Sequence, residues 1–179
     1  LVNEKSVRFD FTHFSALTPD ELAEVERLVN ERIRAGVDVV TEVMSLEDAK
    51  KTGAMALFGE KYGEKVRVVK MGDYSTELCG GTHVKNTAEI GAIKILSEAG
   101  VSSGVRRITA LTSDNILDYY KDMEGKLDEI LAALKTPLNG ALAKVESLQN
   151  EIKALKSENE AIKSQAAKES LGDIDSDTT

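Results

Sequence analysis

With 179 residues and a net charge of −8, the chain has room for one ordinary domain and an appendage, and its acidity argues against a general nucleic-acid binder. Its single cysteine rules out an internal disulfide and favours a reducing compartment, the cytoplasm. No apolar run approaches the ~20 residues that span a bilayer, so we expect no membrane partner.

The charge is distributed unevenly along the chain. Residues 1–113 carry 15 basic and 17 acidic residues, whereas residues 114–179 carry 8 and 14. All seven arginines lie in the first part, and since arginine is the better phosphate ligand, we expect any RNA contact there. The sequence starts at Leu1 without an initiator methionine or a signal-peptide pattern, and we expect the chain to be part of a larger protein.

The first region, residues 1–112, mixes helix and strand patterns. Thr18 can cap a helix, Pro19 fits its first turn and Glu21 can close a capping box. That helix should end near Gly36, and a short second helix should begin after Ser45 and extend to residue 51. Alternating or β-branched stretches predict strands at residues 7–11, 37–44, 66–71, 89–97 and 105–111. We therefore predict an α+β fold with a mostly antiparallel sheet.

The second region, residues 113–171, has apolar residues at heptad spacing. Thr136-Pro137 interrupts the pattern, because a helix seldom continues through proline. We therefore predict a long two-helix coiled-coil hairpin that spaces domains and pairs two chains as a homodimer. Residues 172–179 are acidic and predict the start of a linker to a further domain. The heptad positions are Ile116, Tyr120, Met123, Leu127, Ile130 and Leu134, then Leu138, Ala141, Val145, Leu148, Ile152, Leu155, Asn159, Ile162 and Ala166.

The most informative stretch is Cys79-Gly80-Gly81-Thr82-His83. A thiolate and an imidazole at this spacing can reach one metal ion if the backbone turns sharply, and glycine permits such a turn by adopting positive φ. Zinc prefers sulfur and nitrogen donors in a tetrahedral set, so the pair predicts half of a zinc site. The alternative is a buried cysteine and an unrelated surface histidine. His13, the other histidine, is expected to be a hydrogen-bonded group at a strand end, and the alternative is that it completes the zinc site.

Several segments together resemble the post-transfer editing domain of alanyl-tRNA synthetases. Glu77–Val84 is similar to that family's motif, and Gly80-Gly81-Thr82 favours it over the related threonyl type. The resemblance covers about residues 1–112, and the family places a coiled-coil connection after them. The other matching segments are Arg8–Phe14, Ile90-Gly91, Lys94-Ile95 and Gly104–Ile108.

The resemblance implies a function in two parts. The parent protein would attach alanine to its tRNA with ATP and magnesium, in a synthetic domain outside these residues. Residues 1–112 would hydrolyse serine or glycine from the alanine-specific tRNA in a zinc-dependent editing reaction. The family completes its zinc site with an H-x3-H pair, expected just before Leu1, so we expect the isolated chain to be inactive. Two alternatives stay open: a freestanding trans-editing hydrolase, and a non-catalytic tRNA-binding or dimerisation module.

The resemblance also implies roles for individual residues. Cys79 and His83 would be zinc ligands, and no residue is assigned a catalytic role. Gly80, Gly81 and Thr82 would shape the pocket beside the metal. Arg106 or Arg107 would contact tRNA phosphate or the terminal adenosine, unless both pair with carboxylates within the protein.

Overall fold

The computed structural model describes residues 1–55 and 63–176, with side chains described as far as residue 167. The chain divides into two compact units, Leu1–Tyr120 and Lys121–Thr179. The boundary falls inside a helix, a few residues after the expected end of the first domain at residue 112. The domain boundaries read from the sequence stay a prediction.

The described part of the first unit contains two three-stranded antiparallel sheets, which confirms the α+β class with antiparallel pairing. One sheet has the order β1-β6-β5 and the other the order β2-β3-β4, so the predicted strands form two sheets rather than one. The strands are β1 (Val7–Thr12), β2 (Val39–Ser45), β3 (Lys65–Met71), β4 (Ser75–Leu78), β5 (Ile93–Ser102) and β6 (Val105–Thr112).

Two local expectations are wrong. Strand β4 was not predicted, because its four residues are too short to show an alternation. The strand expected over residues 89–97 begins later, at Ile93, since Thr87–Ile90 form a 3₁₀ turn. Asn86 starts that turn with a capping box, in which its side chain accepts the Ala88 N–H at 2.9 Å and its N–H donates to Glu89 at 3.1 Å.

Helix α1 (Pro19–Arg34) begins at the predicted capping box. The Thr18 hydroxyl accepts the Glu21 N–H at 3.2 Å, and the Glu21 carboxylate accepts the Thr18 N–H at 2.7 Å. Ile33 is buried on its inner face. Asn30 exchanges two hydrogen bonds with the backbone of Ile93, at 2.9 and 3.0 Å, and so ties the helix to β5.

The core cluster of the β2-β3-β4 sheet lies on one face, under the short helix α2 (Leu46–Lys51). Ser45 caps this helix by accepting the Asp48 N–H at 3.1 Å, as predicted. The cluster is apolar, and its burial contributes to the stability of this sheet. Its buried members are Ala49, Val66, Val68 and Leu78, with Met44, Leu46 and Ala54 packed against them.

Helix α3 (Asp114–Leu134) continues into the second unit, and α4 (Ala141–Ser176) follows it. The break at Thr136-Pro137 is confirmed. The helix α4 reaches Ser176, past the end expected at residue 171, and residues 177–179 lie outside the described part. The coiled-coil hairpin is not confirmed, since none of the described side chains from residue 121 onward is buried. Among the described helices, none combines the length and the apolar character that crossing a membrane requires.

Candidate metal centre

The strand β4 leads directly into the metal loop, residues 79–83, and places Cys79 at its start. This strand pairs with β3, and the ladder is extended by one further bond, in which the Cys79 N–H donates to the Arg67 carbonyl at 3.1 Å. Leu78, the preceding residue, is buried in the core cluster on the opposite face. Because successive side chains of an extended chain alternate between faces, Cys79 points away from that core.

The two predicted ligands converge. The Cys79 Sγ lies 3.2 Å from the His83 Nε2, and both side chains are half-buried. A zinc ion with bonds of about 2.3 Å to sulfur and about 2.0 Å to nitrogen at a tetrahedral angle would separate these atoms by about 3.5 Å. The observed spacing is therefore close to that of two ligands of one zinc ion.

Gly81 acts by leaving space rather than by its backbone angles. The expectation of positive φ is wrong here, because neither Gly80 nor Gly81 is among the residues that adopt it. A Cβ at Gly81 would instead lie 3.5 Å from the Cys79 Sγ and 3.8 Å from the His83 Nε2. Gly81 thus keeps the space beside the pair open, whereas a Cβ at Gly80 would meet nothing within 4 Å. Thr82 is exposed next to His83.

Arg67 contacts the metal loop, and the sequence analysis missed it. Its Nη1 donates to the carbonyl of Gly81 and, at 3.4 Å, to the carbonyl of Cys79. The signal was available in principle: Arg67 is the odd polar residue between two buried valines of β3, Val66 and Val68. A polar residue facing away from a core marks the side of the sheet on which a site can form.

The donor set is incomplete within the described residues, where no group of three or more His, Cys, Asp and Glu side chains is placed to bind a metal ion. A thiolate and an imidazole fit two positions of a zinc shell, and a structural or catalytic site needs three or four protein ligands. His13 does not contribute: its Nδ1 lies 2.9 Å from the Ser15 carbonyl oxygen, after the end of β1. This is the strand-end role expected for it.

A cavity beside the β2-β3-β4 sheet is distinct from the candidate metal site. A cavity of about 550 Å³ opens beside the β2-β3-β4 sheet, and neither Cys79 nor His83 lines it. Its lining includes Val40, Glu42 and Val68, which share the face of the core cluster. The Cys79–His83 pair is therefore separate from this cavity.

Arg106 and Arg107 lie in the other sheet, where each forms an ion pair within the protein. The Arg106 guanidinium binds Glu98, and Arg107 binds Asp10 at 2.6 and 2.7 Å. Hydrogen bonds from these arginines lower the pKa of Glu98 and of Asp10, and raise the pKa of both guanidinium groups. The two side chains bind partners in different strands, Glu98 in β5 and Asp10 in β1, and their assignment to tRNA stays a prediction.

Comparison with known proteins places the metal loop in a recognised domain. Residues 66–109 match the family described as the threonyl and alanyl tRNA synthetase second additional domain. The matched range includes the Cys79–His83 loop, Arg67 and both arginines of β6. This segment is therefore similar to a domain that occurs in these two kinds of synthetase.

Over nearly its whole length the chain is similar to alanine–tRNA ligases, one of these two kinds of synthetase. The chain is 59% identical over 173 residues to alanine–tRNA ligase 1 of Lachnoclostridium phytofermentans, covering 97% of this chain and 20% of that protein. The alanine–tRNA ligases of Acetivibrio thermocellus and Streptococcus mutans are each 52% identical, over 97% and 94% of this chain. These matches confirm the resemblance to alanyl-tRNA synthetases. The chain spans about a fifth of the length of these relatives.

Proposed function

We propose that this chain is the zinc-dependent editing segment of an alanine–tRNA ligase, followed by a helical connector. The parent enzyme would attach alanine to its tRNA with ATP and magnesium. This segment would hydrolyse the ester that joins serine or glycine to the 3′ end of the alanine tRNA. The observation that carries the proposal is the 3.2 Å approach of Cys79 Sγ to His83 Nε2, inside the segment that matches the synthetase domain.

A second hydrolytic site answers a physical limit on amino-acid selection. A pocket built for the methyl group of alanine cannot strongly reject glycine, which is smaller, or serine, which adds only a hydroxyl. Such differences are worth about 1–3 kcal/mol, which is less than protein synthesis requires. Hydrolysis of the mischarged ester at a separate site supplies the missing discrimination.

Cys79 and His83 would bind the zinc ion, and Cys79 would do so as a thiolate. When bound, zinc supplies a Lewis acid and a template that orients the substrate and a water molecule. Gly81 would leave space for the substrate beside the two ligands, and exposed Thr82 would border it. The resemblance assigns the remaining donors to an H-x3-H pair outside these 179 residues, so we expect the chain alone to bind zinc weakly and to be inactive.

The test is a chimera in which this chain replaces the aligned segment of the Lachnoclostridium phytofermentans ligase. The chimera should deacylate seryl-tRNA specific for alanine, and Cys79→Ser or His83→Ala should abolish this activity while leaving alanylation intact. Thr82→Ser is a milder control that keeps the hydroxyl group. Undiminished deacylation in both ligand variants would overturn the zinc-dependent assignment. Full activity of the isolated chain in trans would favour the freestanding hydrolase.

A second candidate is a tRNA-binding or dimerisation module, favoured by the exposed heptad positions of α4. Ile152, Leu155 and Ile162 are all more than half exposed. An apolar stripe at heptad spacing on a helix is typical of a surface that pairs with another helix. In this interpretation the homodimer through the coiled coil would be the main role of residues 113–171.

A further inference from the structure

We propose that Arg67 is a positioning residue that keeps the Cys79–His83 loop in its metal-binding geometry. This inference rests on the proposed function, because it concerns the same site. It adds a residue outside the ligand set, in a different strand, whose contacts are to the loop backbone and not to the ligand atoms.

The contacts of Arg67 fix both sides of Gly80. Its Nη1 donates to the carbonyls of Cys79 and Gly81, which flank that glycine. Its own carbonyl accepts the Cys79 N–H at 3.1 Å. One residue of β3 therefore contacts three backbone groups of the loop, and these contacts set the direction in which the chain leaves β4.

The geometry at Gly81 links this contact to the ligands. The Gly81 carbonyl points to Arg67, while the direction of its missing Cβ points to the Cys79 Sγ and the His83 Nε2. A rotation of this peptide unit that releases the carbonyl would also move Gly81 relative to the pair. The distance between sulfur and nitrogen thus depends on a hydrogen bond that neither ligand makes.

The segment of β3 that carries Arg67 is packed against the core. The residues on either side of Arg67, Val66 and Val68, are 6% and 4% exposed and belong to the core cluster. The backbone of Arg67 is therefore held in place by the packed face of the sheet. Its side chain in turn holds the loop through the hydrogen bonds to the Cys79 and Gly81 carbonyls. Both side-chain contacts come from one nitrogen, Nη1. Arginine suits this role because the planar guanidinium holds the N–H groups of that nitrogen in fixed directions, whereas lysine is a flexible point charge.

Loss of this contact should lower the metal affinity without removing a ligand. Groups that orient metal ligands typically contribute 10–100-fold to affinity. In the chain without Arg67, the loop would spend more time in conformations that separate the thiol from the imidazole. The apparent affinity then falls in proportion to the competent fraction.

The experiment titrates the 179-residue chain with Co²⁺, and follows the thiolate-to-cobalt charge-transfer absorption. The wild-type chain should show a weak, saturable band that Cys79→Ser abolishes. Arg67→Ala should raise the dissociation constant by about tenfold or more, and Arg67→Lys should give an intermediate value. Arg34→Ala, at the exposed end of α1, is the matched control and should leave the constant unchanged. Circular dichroism reports whether each variant is folded.

The outcomes separate the two proposals. A wild-type chain without a Cys79-dependent band would overturn the metal site and, with it, the role of Arg67. A band with the same dissociation constant in the wild type, Arg67→Lys and Arg67→Ala would overturn only the positioning role. If Arg67→Ala does not fold, Arg67→Lys tests the positioning role, since lysine keeps the charge and an aliphatic stem but lacks the planar guanidinium. Faster alkylation of Cys79 in the folded lysine variant would support an opened loop.

Discussion

Glu98 and Arg106 form a two-point ion pair between the neighbouring strands β5 and β6. The Arg106 Nη2 donates to one carboxylate oxygen at 2.8 Å, and its Nε donates to the other. The Glu98 side chain is only 3% exposed and also accepts the Leu17 N–H at 3.4 Å. The pair therefore joins this sheet to the segment that leads into α1.

The second pair of the same sheet, Arg107 with Asp10, provides a matched comparison. Its side chains are 33% and 44% exposed, against 18% and 3% for Arg106 and Glu98. Removing one partner of a shielded pair leaves the other without water or a counter-charge, whereas an exposed partner is solvated. We therefore expect Arg106→Ala to lower the free energy of unfolding more than Arg107→Ala. Urea denaturation at pH 7 measures the free energy of unfolding of both variants. An equal loss in the two variants, or a larger loss in Arg107→Ala, would contradict the prediction.

The pH dependence of stability should report on Glu98. Its pKa is lowered from the ordinary value of 4.5, first by the hydrogen bond from Arg106. A carboxyl group with a lower pKa in the folded state contributes stability above its unfolded pKa, and that contribution is lost as the pH falls through the folded pKa. The stability difference between the wild type and Glu98→Gln should therefore shrink as the pH falls below 4.5. A difference that stays constant between neutral pH and that acidic range would show that Glu98 is not the titrating group.

The proposed phosphate contact can be tested through its salt dependence. Each phosphate neutralised by a basic side chain contributes about 0.7–0.9 to the slope of log affinity against log salt concentration. We expect Arg107→Ala to reduce the slope for the alanine tRNA by about this amount, and Arg106→Ala by less, because the Arg106 side chain is 18% exposed and that of Arg107 is 33% exposed. Arg107→Lys keeps the charge and should keep the slope. Filter binding over a series of salt concentrations measures it, and unchanged slopes in both alanine variants would remove the phosphate assignment.

The capping box of α1 should contribute measurably to stability. Thr18→Ala removes the acceptor of the Glu21 N–H, and loss of such a cap costs about 0.5–2 kcal/mol. Thermal unfolding should show a lower midpoint for this variant, while Thr18→Ser, which keeps the hydroxyl group, should remain near the wild type. A Thr18→Ala midpoint equal to that of the serine variant would mean that water replaces the cap without loss.

The sequence was sufficient where local chemistry decides the structure. The Thr18–Glu21 box, the Ser45 cap and the break at Pro137 each depend on residues a few positions apart, and each is present in the structure. The convergence of Cys79 with His83 follows the same logic, because only three residues separate them. The backbone angles of Gly80 and Gly81 differ from the expectation. The conformation of the loop depends on its contacts with β3 and not on glycine alone.

The rest depends on strand pairing, which sequence patterns do not encode. Arg67 reaches the metal loop only because β3 and β4 are neighbours, and β4 is too short to show a pattern. The partners of Arg106 and Arg107 likewise depend on the register of three strands. Alternation in the sequence predicts that the two arginines face opposite ways, but it does not say which carboxylate each will meet.

The heptads of α4 lead to a prediction about association. Leu155 and Ile162 are 56% and 60% exposed, and a helix with apolar residues at heptad positions is stabilised mainly by packing against a partner. We expect the chain to self-associate with increasing concentration in sedimentation equilibrium. The double variant Leu155→Asp, Ile162→Asp should remain monomeric, because charges at core positions are buried on pairing. Ser157→Asp, outside the heptad positions, adds one charge to the same helix and should behave as the wild type. A wild-type chain that stays monomeric at high concentration would contradict the homodimer and would leave these apolar residues for a different partner.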